Sequence, residues 1–181
     1  MNQSIKVILS FLIAIWAAYF LSWIIPINQF GLVPRTQLGL IGIFTAPFLH
    51  GSLSHIIGNS ISFALFAVAL ALLEGNKMFG KVMLMVMIGG VLTWVWGRTA
   101  NHIGASGLIF SLWGYLLLSG WFSRKIKYIL VSLILMFFYG GMIFSIFPGK
   151  ASVSWEGHLF GFIAGFFVSW LYHRKSRGEP T

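Results

Sequence analysis

Polar positions are sparse along this chain, and the apolar runs between them set its organisation. Six stretches read as helices: about 5–25, 53–73, 79–97, 105–122, 127–147 and 156–172. Each approaches the roughly 20 residues that cross a hydrocarbon core. The first follows Lys6 and resembles the apolar region of a signal peptide. It is too long for one, and no small-residue cleavage site follows, so it is read as a helix. The segment about 26–51 is also apolar, but Pro26, Gly31, Pro34, Gly39, Gly42 and Pro47 break it. Irregular backbone cannot face lipid with its polar groups unsatisfied. This loop is therefore expected in the outer interface or packed sideways on the bundle. A short basic terminus follows His173. The pattern predicts one all-α membrane domain over residues 1–181, a bundle of six transmembrane helices, with no repeat and no linker.

Composition sharpens that picture. Only 8% of residues are charged, against about 25% in a soluble domain, and the mean hydropathy is +0.89. The net charge of +9 does not mark a nucleic-acid face, because the basic residues sit in short loops between apolar spans. There they set orientation and meet anionic lipid. With the N-terminus inside, the inner segments hold nine basic residues: Lys6, Lys77, Lys81, Arg124, Lys125, Lys127, Arg174, Lys175 and Arg177. The outer loops hold three, Arg35, Arg98 and Lys150. This bias predicts that both termini are cytoplasmic. A chain without targeting extensions or further domains fits a bacterial or archaeal plasma membrane.

The scarcity of acids and thiols prunes the chemistry. There is no cysteine and no aspartate, and the only acids are Glu74, Glu156 and Glu179. Disulfides, thiolate nucleophiles and cysteine-bound cofactors are excluded. So are an aspartyl intramembrane protease and an Asp-assisted triad. Each polar group inside an apolar span needs an account, because burying it in lipid is costly.

Under this topology such groups collect near the outer ends of three helices that run in the same direction. His55 and Asn59 are four residues apart on one face, Ser106 opens the fourth span, and His158 stands near the start of the sixth. Ser106 lies in Gly104-Ala105-Ser106-Gly107. A serine there is either a helix N-cap or a nucleophile beside free backbone N–H groups that suit an oxyanion. Gly104 and Gly107 would allow close approach of a neighbour. His158 shares a face with Gly161 and Gly165, a small-residue packing stripe. It is either a histidine hydrogen-bonded within the bundle or a base facing Ser106, with Phe110 one turn on to stack against its ring. His55 and Asn59 either bond to neighbouring helices or donate to an oxyanion. Glu156 is two residues from His158, about 200° around a helix, and should face elsewhere.

Taken together and in order, these motifs resemble those of the rhomboid intramembrane serine proteases, and the likeness covers nearly the whole chain. The matching signatures are Gly-x-Ser-Gly at Gly104 to Gly107, His-x-x-x-Asn at His55 to Asn59, and His-x-x-Gly-x-x-x-Gly at His158 to Gly165. The resemblance implies a six-helix minimal bacterial form. It implies Ser106 as nucleophile, His158 as general base and acid, and an oxyanion hole of the Ser106 N–H, His55 and Asn59. It implies transmembrane protein substrates met in the lipid, and no cofactor or metal. Many members carry Tyr where Phe110 stands, and a Trp-Arg pair where this chain has Ile41-Gly42. His50 matches a histidine near the active site in some members and is expected to support the loop. Glu74 resembles an acid at the inner end of the second helix and is read as a cap for the helix that follows.

Other readings are an inactive rhomboid-like protein that binds membrane clients, a b-type haem or metal protein using His50, His55, His102 and His158, and a small transporter. The last would favour pseudo-repeats and polar residues at mid-membrane depth, and neither is present.

Overall fold

The computed structural model describes residues 3–149 and 153–175. Lys150, Arg177 and Glu179 lie outside the described residues, as does the side chain of Lys175. The elements are α1 (Gln3–Leu21), α2 (Gln37–Thr45), α3 (Leu53–Glu74), α4 (Met78–Trp96), α5 (Ser106–Ser123), α6 (Ile126–Tyr139) and α7 (Trp155–Lys175). No strand occurs among the described residues; Leu32 and His102 form an isolated antiparallel bridge.

Among the described residues, four helical segments are long and apolar enough to cross a membrane: Gln3–Leu21, Leu53–Trp96, Ser106–Ser123 and Ile126–Ile146. The second holds both α3 and α4, joined by a 3-10 turn at Gly75–Lys77. Gly75 takes φ +54° there, a left-handed conformation that glycine adopts without a Cβ penalty. α7 is long enough but less apolar, because Glu156 and His158 stand in its first turn.

α5 is buried on every side from Leu108 to Leu117, as expected of a helix apolar all round at the centre of a bundle. Its most extensive partner is α7. Small residues make that approach possible. A Cβ added at Gly161 would strike the carbonyl of Gly107, one at Gly165 the carbonyl of Ser111, and one at Gly114 the carbonyl of Phe162. The stripe expected on α7 thus meets α5, the helix that carries Ser106. Large apolar side chains such as Leu133, Phe137 and Phe138 of α6 are exposed outward, which suits a lipid surround.

Two expectations change. The stretch 127–147 is not one α-helix: α6 stops at Tyr139 and a 3-10 segment, Gly140–Ile146, continues it. Gly140 and Gly141 lie at the switch, where helix propensity is lowest. The segment 26–51 is not irregular throughout, because it contains α2. Thr36 caps that helix by accepting the Gly39 N–H at 3.0 Å. Gly42 lies against the backbone of Gly31 and Leu32. The glycines that looked like helix breakers let α2 fold back on its own loop, and a side chain at Gly42 has no room.

The two ends of the bundle hold different polar clusters. At one end the Ser4 hydroxyl donates to the Gly75 carbonyl at 2.9 Å. There Glu74 pairs with Lys81 and accepts from the hydroxyls of Tyr115 and Tyr128, with His173 nearby. Glu74 is therefore not a helix cap. No side chain caps α4, and Glu74 is the buried counter-ion of Lys81 instead. The first turns of α3, α5 and α7 meet at the other end.

Candidate active site

The site is assembled where those three first turns converge. Ser106 is the first residue of α5, and Ala105, which precedes it, makes no side-chain cap. The Ser106 hydroxyl does not cap the helix; its Oγ lies 3.0 Å from Nε2 of His158. The opposite ring nitrogen, Nδ1, lies 3.0 Å from the carbonyl of Ser145. A carbonyl only accepts, so Nδ1 carries the proton and Nε2 presents its lone pair to the Ser106 hydroxyl. Phe110 stacks on the imidazole at 4.2 Å with the planes 8° apart. The histidine is thus held by one hydrogen bond, one ring face and the glycine-packed α7 backbone.

The Ser145 carbonyl takes the orienting position that an acid fills in a triad. Sequence reading missed it, because a backbone carbonyl leaves no mark in residue type. Glu156 faces away from His158, as its spacing required. It is buried, and its Oε1 lies 3.6 Å from Nε of Arg98. Arg98 also donates to the Val153 carbonyl at 2.8 Å, tying the start of α7 to the loop after α4.

The opposite wall comes from α3 and the loop before it. Gly104 has φ +117°, and a Cβ there would lie 2.6 Å from Nε2 of His55 and 3.3 Å from Nδ2 of Asn59. Only glycine serves at this position, for both conformation and space. His55 and Asn59 therefore reach the backbone just ahead of Ser106. Asn59 Nδ2 donates to Nε2 of His50 at 2.9 Å, and the Ala105 N–H points to the same nitrogen at 3.4 Å. His50 Nδ1 then donates to the Phe48 carbonyl at 3.3 Å. His50 does support the loop, and it also fixes the Asn59 amide. Burial, with His55 beside it, lowers its pKa to about 4, so the ring is neutral.

His55, Asn59, Ser106, Phe110 and His158 line one cavity of about 950 Å³. Every residue picked out as catalytic or oxyanion-binding reaches that space. His102 is not a ligand in waiting: Nδ1 meets the Ser154 hydroxyl and Nε2 meets the Arg98 carbonyl. Among the described residues no three His, Cys, Asp or Glu groups are placed to hold a metal ion.

These features define an integral membrane helical protein with a paired serine and histidine at one end of its bundle. The chain belongs to the rhomboid family, whose domain model, described as Rhomboid domain, matches residues 37–175. It is similar to an uncharacterised protein of Mycobacterium tuberculosis, 33% identical over 156 residues that cover 81% of this chain and 65% of the relative. An uncharacterised protein of Mycobacterium leprae is 32% identical, covering 76% of this chain and 58% of the relative. The provisionally named rhomboid protease YdcA of Bacillus subtilis is 28% identical, covering 93% of this chain and 89% of the relative. The chain spans less than two thirds of the length of the mycobacterial relatives it matches.

Proposed function

We propose that this protein is a serine endopeptidase that cleaves transmembrane or juxtamembrane segments of other membrane proteins. The observation that carries the reading is the 3.0 Å approach of Ser106 Oγ to a His158 nitrogen whose ring partner is already committed to the Ser145 carbonyl. Family membership supports it.

In this reading His158 Nε2 takes the hydroxyl proton as Ser106 Oγ attacks the scissile carbonyl. The oxyanion that forms accepts hydrogen bonds from the Ser106 backbone N–H, His55 and Asn59. Protonated His158 gives its proton to the leaving amine. Water then enters the acyl-enzyme and His158 takes its proton, which returns to Ser106 Oγ as the acid product leaves. No cofactor is required. A helical peptide bond is shielded by its own hydrogen bonds, so the substrate segment unwinds to reach Ser106. The fold would cross the bilayer six times with both termini cytoplasmic and the cavity open to the outer side. The bacterial inner membrane is the proposed location.

Labelling with an activated fluorophosphonate in detergent or liposomes tests this. A serine without a base within hydrogen-bond reach reacts poorly. Wild-type protein is expected to label, Ser106→Ala to lose the label, and His158→Ala to lose nearly all of it while remaining folded. Folded wild-type protein that stays unlabelled across about pH 6–9, a range that brackets the usual histidine pKa, would remove the Ser–His reading. It would leave a rhomboid-like client-binding protein.

A further inference from the structure

A second cavity, of about 540 Å³, opens between α1 and α4 beneath the loop that carries α2. Its walls are apolar, with Phe11 and Ala14 of α1 facing Phe79 and Val86 of α4. Phe44 and Phe48 line one end, and Lys6 stands at the other. Along α1 the cavity runs from Gln3 to Ala14. That is about 16 Å of helix, close to one leaflet of a hydrocarbon core roughly 30 Å thick.

The Lys6 end is cationic. Lys6 is exposed and makes no ion pair among the described residues. The Ser4–Gly75 hydrogen bond holds the Gly75–Lys77 turn against the start of α1, the stretch that carries Lys6. The acid in that turn's neighbourhood, Glu74, is already paired with Lys81.

We propose that this groove binds an anionic phospholipid, with the phosphate at Lys6 and one acyl chain lying between α1 and α4. The length, the apolar walls and the cationic end fit an anionic lipid with one chain from a single leaflet. The inference is separate from the protease reading. It bears on the same site nonetheless, because Phe48 lines the groove and its carbonyl holds His50, which in turn fixes Asn59. A seated chain braces the loop behind the cavity wall.

Native mass spectrometry of the full chain in detergent, titrated separately with dioleoylphosphatidylglycerol and dioleoylphosphatidylcholine, tests it. One phosphatidylglycerol should be retained in preference and should raise the melting temperature. Lys6→Ala should weaken its binding about fivefold, the effect of one lysine near an anionic headgroup. Ser10→Trp, which fills the groove midway, should remove the preference, and Ala14→Phe serves the same purpose should Ser10→Trp fail to fold. Equal retention of the two lipids would overturn the proposal, as would phosphatidylglycerol binding untouched by these substitutions in folded protein. Efficient disulfide dimerisation of an Ala14→Cys variant would assign the groove to a second copy and overturn it as well. Fluorophosphonate labelling of Ser106, run in parallel, separates failure of the lipid site from failure of the protease reading.

Discussion

Asn59 and His50 show how single residues are committed by their partners. One Asn59 N–H is spent on His50 Nε2, and the amide lies against Gly104 at the cavity wall. Its second N–H is the one left for an oxyanion. Asn59→Ala should therefore lower turnover more than substrate binding, by on the order of 3 kcal/mol of barrier at most, softened by His55 and the Ser106 N–H. An unchanged kcat in a folded variant would take Asn59 out of the oxyanion hole. His50 carries a pH prediction. Its folded pKa of about 4 lies below its ordinary value of 6.5, so the unfolded chain binds the proton more readily. Its contribution to stability is full above about pH 6.5 and is lost as the pH falls toward 4. Protonation at Nε2 also removes the acceptor for Asn59 and for the Ala105 N–H. Melting temperatures of wild type and His50→Gln should converge as the pH drops through that window; parallel curves would dismiss the linkage.

At the scale of elements, the α5–α7 contact and the cluster at the opposite end do different jobs. The glycines bring two backbones together so that Ser106 and His158 meet, and the contact depends on having no side chains there. The far cluster ties α3, α4, α5, α6 and α7 through one buried acid, with side chains of Lys81 and Glu74 only 3% and 6% exposed. Removing one member leaves an uncompensated buried charge, which typically costs about 3–5 kcal/mol. Lys81→Met should destabilise by that order in denaturant or thermal unfolding in detergent. Adding Glu74→Gln should recover much of the loss, since the tyrosine hydroxyls can still bond to an amide. Equal destabilisation of the single and double variants would show that the pair does not act as a unit.

At the scale of the whole molecule, the placement of basic residues predicts orientation. The Glu74 end gathers Lys77, Lys81, Lys127 and Arg174, whereas Arg35 and Arg98 sit at the cavity end. Single cysteines introduced at Lys125 and at Arg35 should label from the cytoplasmic and the outer side respectively. Outside labelling at Lys125 would invert the topology.

The sequence by itself determined the helical membrane class, because lipid admits only backbones that satisfy themselves and apolar runs are visible without a structure. It also marked Ser106, His158, His55 and Asn59, because polar side chains in such runs are rare enough to be conspicuous. It misread the segment about 26–51, where Gly39 and Gly42 serve close packing around α2 and not chain breaking. It misread Glu74, whose partners Lys81, Tyr115, Tyr128 and His173 are scattered along the chain and meet only in three dimensions. Tertiary structure alone decided that the Ser145 carbonyl orients His158, that His50 fixes Asn59, and that α1 and α4 leave a groove one leaflet deep. The reason is the same in each case. These features are made by backbone atoms, or by distances between distant segments, and neither is written in the identity of any one residue.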